Sequence, residues 1–213
     1  MNLNEIRESI AKWNSLRKNK DAQGINALFV EGNSFFYKRE SLEKSTSGSY
    51  LHVYPGVSAQ GKLHVFLIEA DRDTQGQYQS KEGILPFITQ CGLSHSVNLG
   101  DEIPEQEALF RIQDWKDNYS SWIGAQVEEP DNIFQAFAIP LSDVAEEHSL
   151  KIYFALKNEG GGGNQIADLI VFDESAEGRL LNVSKYYDMV RPVPPFHVDT
   201  PLDQENFFLL EIS

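Results

Sequence analysis

The segment Asp71-Arg72-Asp73-Thr74-Gln75-Gly76-Gln77-Tyr78-Gln79-Ser80-Lys81-Glu82 holds oxygen-bearing side chains at the spacing of a calcium loop. Such loops place oxygens at positions one, three and five, a glycine at six for the sharp turn, and a bidentate Glu at twelve. Asp71, Asp73, Gln75, Gly76 and Glu82 fall in that register, and Glu69 offers a further carboxylate. The flanks differ from an EF-hand. A strand pattern leads in, Tyr78 stands where an aliphatic residue is usual, and Gly83 and Pro86 follow where an exit helix would begin. A strand-loop calcium site and a plain polar loop both remain open.

His52 and His64 sit in equivalent Leu-His-Val triplets. If Val53 pairs near Leu63 in a hairpin, both imidazoles share a face and form half of a zinc site. A third ligand (His95, Cys91 or a carboxylate) would have to come from elsewhere. The alternative makes them partly buried polar residues beside Tyr54 and Phe66. Cys91 and His95 lie four apart, but Gly92 and the polar stretch after it indicate a loop without the helix N-terminus or paired imidazole that activates a thiol. The glycine run Gly160–Gly163 leads into a strand and lacks a following Lys-Ser/Thr, so it reads as a hairpin tip and not a phosphate cradle. Tyr186, Tyr187 and Phe196, around the stiff stretch Arg191-Pro192-Val193-Pro194-Pro195, would form an interface if exposed.

These residues must be positioned by helices and strands that the pattern makes visible. Leu3, Ile6, Ile10 and Trp13 keep helical spacing, and Asn2 with Glu5 resembles a capping box. A second helix is predicted from about Pro104 to Ile123, with Ala108, Ile112, Trp115, Tyr119 and Trp122 as its buried stripe and Gly124 as terminator. Strands are predicted over Tyr50–Tyr54, Leu63–Glu69, Ile133–Ile139, Leu150–Leu156, Ile166–Phe172 and Phe207–Ile212, with weaker ones over Ala27–Val30, Phe35–Lys38 and Leu85–Thr89. The C-terminal strand, tucked into a sheet, should tolerate truncation badly. The pattern strand, proline, polar loop, strand occurs twice, at Leu51–Ile68 and Ala136–Ala155, each after a Trp-bearing helix. This suggests a duplicated αββ unit with halves near residues 1–100 and 101–213. The expected fold is α+β with a mostly antiparallel sheet, as a single domain over residues 1–213.

Charge bounds the partners. The 213 residues carry 18 basic and 32 acidic side chains, a net of −14. Residues 1–20 hold five cations against two carboxylates, a local +3 that leaves −17 for the rest of the chain. Such a field repels nucleic acid and anionic lipid and favours basic partners or cations. Carboxylates gather at Glu69–Asp73, Asp101–Glu107 and Glu128–Asp131. No apolar run approaches the ~20 residues of a membrane span. One cysteine and an N-terminus without a signal-peptide core indicate a cytoplasmic protein.

The expected function is therefore non-enzymatic binding, to a protein partner with a basic surface or to a second copy of the chain. No cofactor is expected on that view. The alternative is a metal-dependent hydrolase or calcium-binding protein that uses the Asp71–Glu82 loop with calcium or another divalent cation. Binding is preferred because no complete acid–base or nucleophile set can be named.

Overall fold

A computed structural model of the chain describes residues 1–38, 50–94, 106–129, 133–141, 149–159, 164–173, 191–193 and 206–213. Helix α1 (Leu3–Lys18) starts at the expected capping box: Asn2 Oδ1 accepts from the Glu5 amide at 3.0 Å, and Glu5 Oε2 accepts from the Asn2 amide at 2.6 Å. Its stripe Ile6, Ile10 and Trp13 is buried, and Arg17 continues it. Lys20, with φ 55°, turns the chain into α2 (Ala22–Leu28), which Asp21 caps through the Gly24 amide at 2.9 Å. A 3-10 turn (Phe29–Glu31) leads to β1 (Ser34–Lys38). Then come β2 (Tyr50–Val57), β3 (Leu63–Glu69), the one-turn helix α3 (Gln75–Tyr78), a 3-10 turn (Leu85–Phe87) and β4 (Thr89–Gly92). The second half holds α4 (Gln106–Gln126), β5 (Ala136–Pro140), β6 (Ser149–Glu159), β7 (Asn164–Asp173), β8 (Arg191–Val193) and α5 (Phe208–Glu211).

The fold is α+β with antiparallel pairing throughout the described strands, but in two sheets. One has the order β4-β3-β2-β5-β8, the other β1-β6-β7. Alternation along each strand sorts the core into layers. Leu51, Val53, Val65 and Leu67 of the larger sheet share one apolar cluster with Phe35, Ile152, Phe154 and Leu169 of the smaller one. The opposite face of the larger sheet packs Tyr54, Phe66 and Ile68 against Ile6 and Ile10 of α1 and against Phe207–Leu209. Tyr153, Ala155 and Ile170, on the outer face of the smaller sheet, meet Ala108 and Ile112 of α4. The order of layers is thus helix, sheet, sheet, helix. Gly56 permits the close approach of α1, because a Cβ there would lie 2.6 Å from the Phe66 ring and 3.1 Å from the Ser9 backbone.

Several elements differ from expectation. Phe207–Ile212 is not a strand. Phe207, Phe208 and Leu209 are buried, the Leu209 amide goes to Asp73 Oδ1 and not to a strand ladder, and the chain coils into α5. Ala27–Val30 completes α2 and the turn after it, following the Asp21 cap. Leu85–Phe87 is a 3-10 turn, where Pro86 has no amide to give a ladder, and pairing begins only at Thr89. Gly124 lies inside α4, which runs on to Gln126. The second strand–proline–strand unit does not repeat the first: β2 and β3 form a hairpin, whereas β5 and β6 belong to different sheets. Among the described residues no helix is long and apolar enough to cross a membrane.

Candidate functional site

The most concentrated polar chemistry among the described residues lies beneath the C-terminal segment. His52 and Tyr54, two apart on β2, present the same face. After β3 the chain turns sharply, with the Arg72 and Asp73 amides donating to the Glu69 carbonyl at 2.9 and 3.1 Å, and this returns Asp73 to that face. Thr74 then caps α3 through the Gln77 amide. Asp73 Oδ2 lies 2.7 Å from His52 Nδ1 and accepts the Tyr54 hydroxyl, while Asp73 Oδ1 accepts the Leu209 amide at 3.1 Å. The Phe207 ring stacks on the His52 imidazole at 4.2 Å and 23°. Arg7 of α1 holds the end of the same segment through the Ile212 carbonyl.

A carboxylate beside an imidazole is the orienting half of a general-base pair. Here His52 and Asp73 are 1% and 0% exposed, and Phe207 covers the ring face, so a substrate reaches neither group in this arrangement. What the cluster accomplishes is mechanical. One buried acceptor joins β2, the turn after β3 and the C-terminal segment. Sequence reasoning noted His52 beside Tyr54 but paired neither with Asp73. The available signal was an Asp just past a covered strand, opposite a His-x-Tyr on its neighbour.

The other candidate residues are dispersed. Asp71 is half-buried next to Arg72, with 3.9 Å between Oδ2 and Nε, and its Oδ1 is buried without a hydrogen-bond partner among the described residues. Gln75 and Glu82 are exposed, and Gln75 and Gly76 belong to α3, so the segment is a helical turn here. Glu69 is buried. Among the described residues no three His, Cys, Asp or Glu side chains could hold a metal ion.

His52 and His64 do share a face, but His52 pairs with Ile68 and His64 with Gly56. They stand four residues apart along each strand, roughly 13 Å at strand rise. Gln90 Nε2 reaches His64 Nδ1 instead. Burial lowers the His64 pKa, Glu31 opposes that and Lys62 adds to it, which favours the neutral imidazole. Burial pushes the Cys91 thiol up to about 12. Iodoacetamide at pH 8 should therefore alkylate native protein at a small fraction of the rate seen in urea, and mass spectrometry reads the difference; equal rates would show an accessible, activated thiol. His95, Gly160–Gly163, Tyr186, Tyr187 and Phe196 lie outside the described residues.

Charges are distributed unequally between the two long helices. Cations in and just after α1 turn to the chain's own body: Lys12 donates to the Ser58 carbonyl at 3.2 Å, Arg17 Nε to the Ile133 carbonyl at 2.5 Å, and Lys20 pairs with Glu128 at 3.0 Å. Burial lowers the Arg17 pKa to about 10, which leaves it charged at neutral pH. Helix α4 is anchored differently. Trp115 stacks on Phe154 at 5.4 Å, the Trp122 indole donates to the Gln165 carbonyl at 2.8 Å, and Arg111 meets buried Asp168 at 3.3 Å. Its outer face repeats at 107, 110, 114 and 117, the spacing of one helical stripe. There Phe110 is 62% exposed, with Glu107, Asp114 and Asp117 around it.

Set against known proteins, the chain matches no family model, no curated protein and no solved structure.

Proposed function

We propose that this chain is a non-catalytic binding module that engages a partner bearing basic groups through the outer face of α4. One observation carries this reading: a large aromatic side chain is left in water opposite the buried stripe of α4, beside exposed Asp117, half-buried Asp114 and exposed Glu107, which also pairs with Arg111. Exposed aromatics supply much of the energy at protein interfaces. Surrounding carboxylates steer a cationic partner and reject anionic ones. The net charge of −14 acts in the same sense against nucleic acid and anionic membranes. A cytoplasmic setting fits one free, buried cysteine.

A calcium or metal-hydrolase role has less behind it. Asp71 Oδ1 is a buried oxygen without a hydrogen-bond partner among the described residues, but Asp73 has already committed both oxygens to donors. Calcium needs about six to eight oxygen ligands.

Selection of a random peptide library on the full chain tests the proposal. Enriched peptides should combine Lys or Arg with an apolar residue, and should bind Phe110→Ala/Asp117→Lys at least about tenfold more weakly at unchanged melting temperature. Peptides without cationic enrichment, or equal affinity for the double variant, would refute it.

A further inference from the structure

A second feature of α4 points to a small-molecule ligand, independently of its outer face. Between the turn after α2 and the middle of α4 lies a cleft of about 370 Å³, within the ~300–1,000 Å³ range of ligand pockets. Phe29, Trp115 and Tyr119 form its walls; Trp115 is 5.1 Å from Phe29 at 74° and 6.1 Å from Tyr119 at 21°. Trp115 and Phe29 are buried behind this wall, and half-buried Tyr119 is the ring that a planar guest meets first. Val30 is 65% exposed and brings an aliphatic side chain to the cleft.

Two side-chain donors of this lining are unsatisfied. Trp115 Nε1 and Asn33 Nδ2 are buried and lack a hydrogen-bond partner among the described residues. An orphan buried donor is costly, and native structures hold few of them. The Asn33 backbone is meanwhile fixed, its amide donating to the Ser94 carbonyl at 3.2 Å and its carbonyl accepting from the Phe154 amide at 2.9 Å. Among the described residues of the lining, Lys116 is the one charged side chain. Solvent reaches neither orphan donor. An acceptor carried in on a planar ligand, whose stacking offsets a small shift of the wall, can satisfy them.

We infer that this cleft binds a small aromatic carboxylate. The ring lies against Tyr119 and Val30, and the carboxylate accepts from Trp115 Nε1–H and the Asn33 amide, which a small outward shift of the wall uncovers, with Lys116 as counter-charge. No bond is made or broken; the site is for recognition.

The test is titration of the 15N-labelled full chain with benzoate, 2-naphthoate, 2-naphthalenemethanol and 2-naphthylmethylammonium. Indole N–H signals are assigned by Trp13→Phe and Trp122→Phe. At least one acid should bind saturably and move the Trp115 N–H signal, while the alcohol and the ammonium should bind at least about tenfold more weakly. Lys116→Gln and Val30→Glu replace exposed side chains, so both should keep the melting temperature and weaken acid binding by about tenfold or more. Three results would overturn the inference: no saturable acid binding below ~1 mM, equal binding of acid and ammonium, or unchanged affinity in both variants.

Discussion

Asp73→Ala will destabilise the protein by about 3–5 kcal/mol, because it removes the acceptor that three buried groups share. The carboxylate meets His52, Tyr54 and the Leu209 amide, and all of these sit in the interior. Each buried donor left without an acceptor costs ~1–3 kcal/mol, and partial relaxation around the vacated site keeps the total below the simple sum. Asp73→Asn should cost less, because its amide oxygen can still accept from one or two donors. Urea denaturation gives both values from midpoint and slope. A loss under ~1 kcal/mol for the alanine variant would mean that the cluster does not hold these elements together.

Deleting residues 206–213 should be more damaging. Phe207, Phe208 and Leu209 are buried, and burying such a side chain contributes ~1.5–3 kcal/mol, so about 4.5–9 kcal/mol is lost before the gain in chain entropy. That approaches the whole stability of an ordinary domain, ~5–15 kcal/mol. The deletion also uncovers Tyr54, Phe66 and Ile68 on the larger sheet and strips Asp73 of its backbone donor. The truncated chain should keep far-UV circular dichroism, lose near-UV signal and bind a hydrophobic dye. Removing Ser213 alone takes away only one hydroxyl, which donates to the Leu209 carbonyl, and should leave near-UV signal intact. A truncated chain that unfolds cooperatively at the parent's midpoint would contradict this account.

What was legible in the sequence is what local chemistry decides. Helix α1 announces itself because Asn2 and Glu5 satisfy each other's backbone within one turn, and because Ile6, Ile10 and Trp13 recur at helical spacing. The cores of β2, β3, β6 and β7 were readable as runs of branched and aromatic residues. The C-terminal segment was misread because a short apolar run does not distinguish a strand from a plug whose amide is claimed by a distant carboxylate. Hairpin register escaped for a related reason. Val53 pairs with Leu67, not with a residue near Leu63, and a slip of four keeps every side chain on its face, so the apolar pattern cannot detect it. That slip separates His52 from His64.

The candidate sites were less legible than the fold. Asp71, Asp73 and Glu82 match a ligand spacing in sequence, but the direction of Asp73 is decided by His52 and Tyr54 on another strand. Phe110 drew no notice as part of an apolar helix, since exposure depends on which face the smaller sheet covers. The cleft beside Trp115 needs the 3-10 turn after α2, a stretch that had been expected to be a strand.

The central claim is a division of labour: Asp73 and its donors hold the fold, and the outer face of α4 does the binding. One paired measurement tests it, namely melting temperature and affinity for a selected cationic peptide in Asp73→Asn and in Phe110→Ala/Asp117→Lys. The account predicts that Asp73→Asn melts earlier yet binds as the parent does at temperatures where it is folded. The double variant should melt with the parent and lose the peptide. Undiminished binding by the double variant, or lost binding by folded Asp73→Asn, would contradict it.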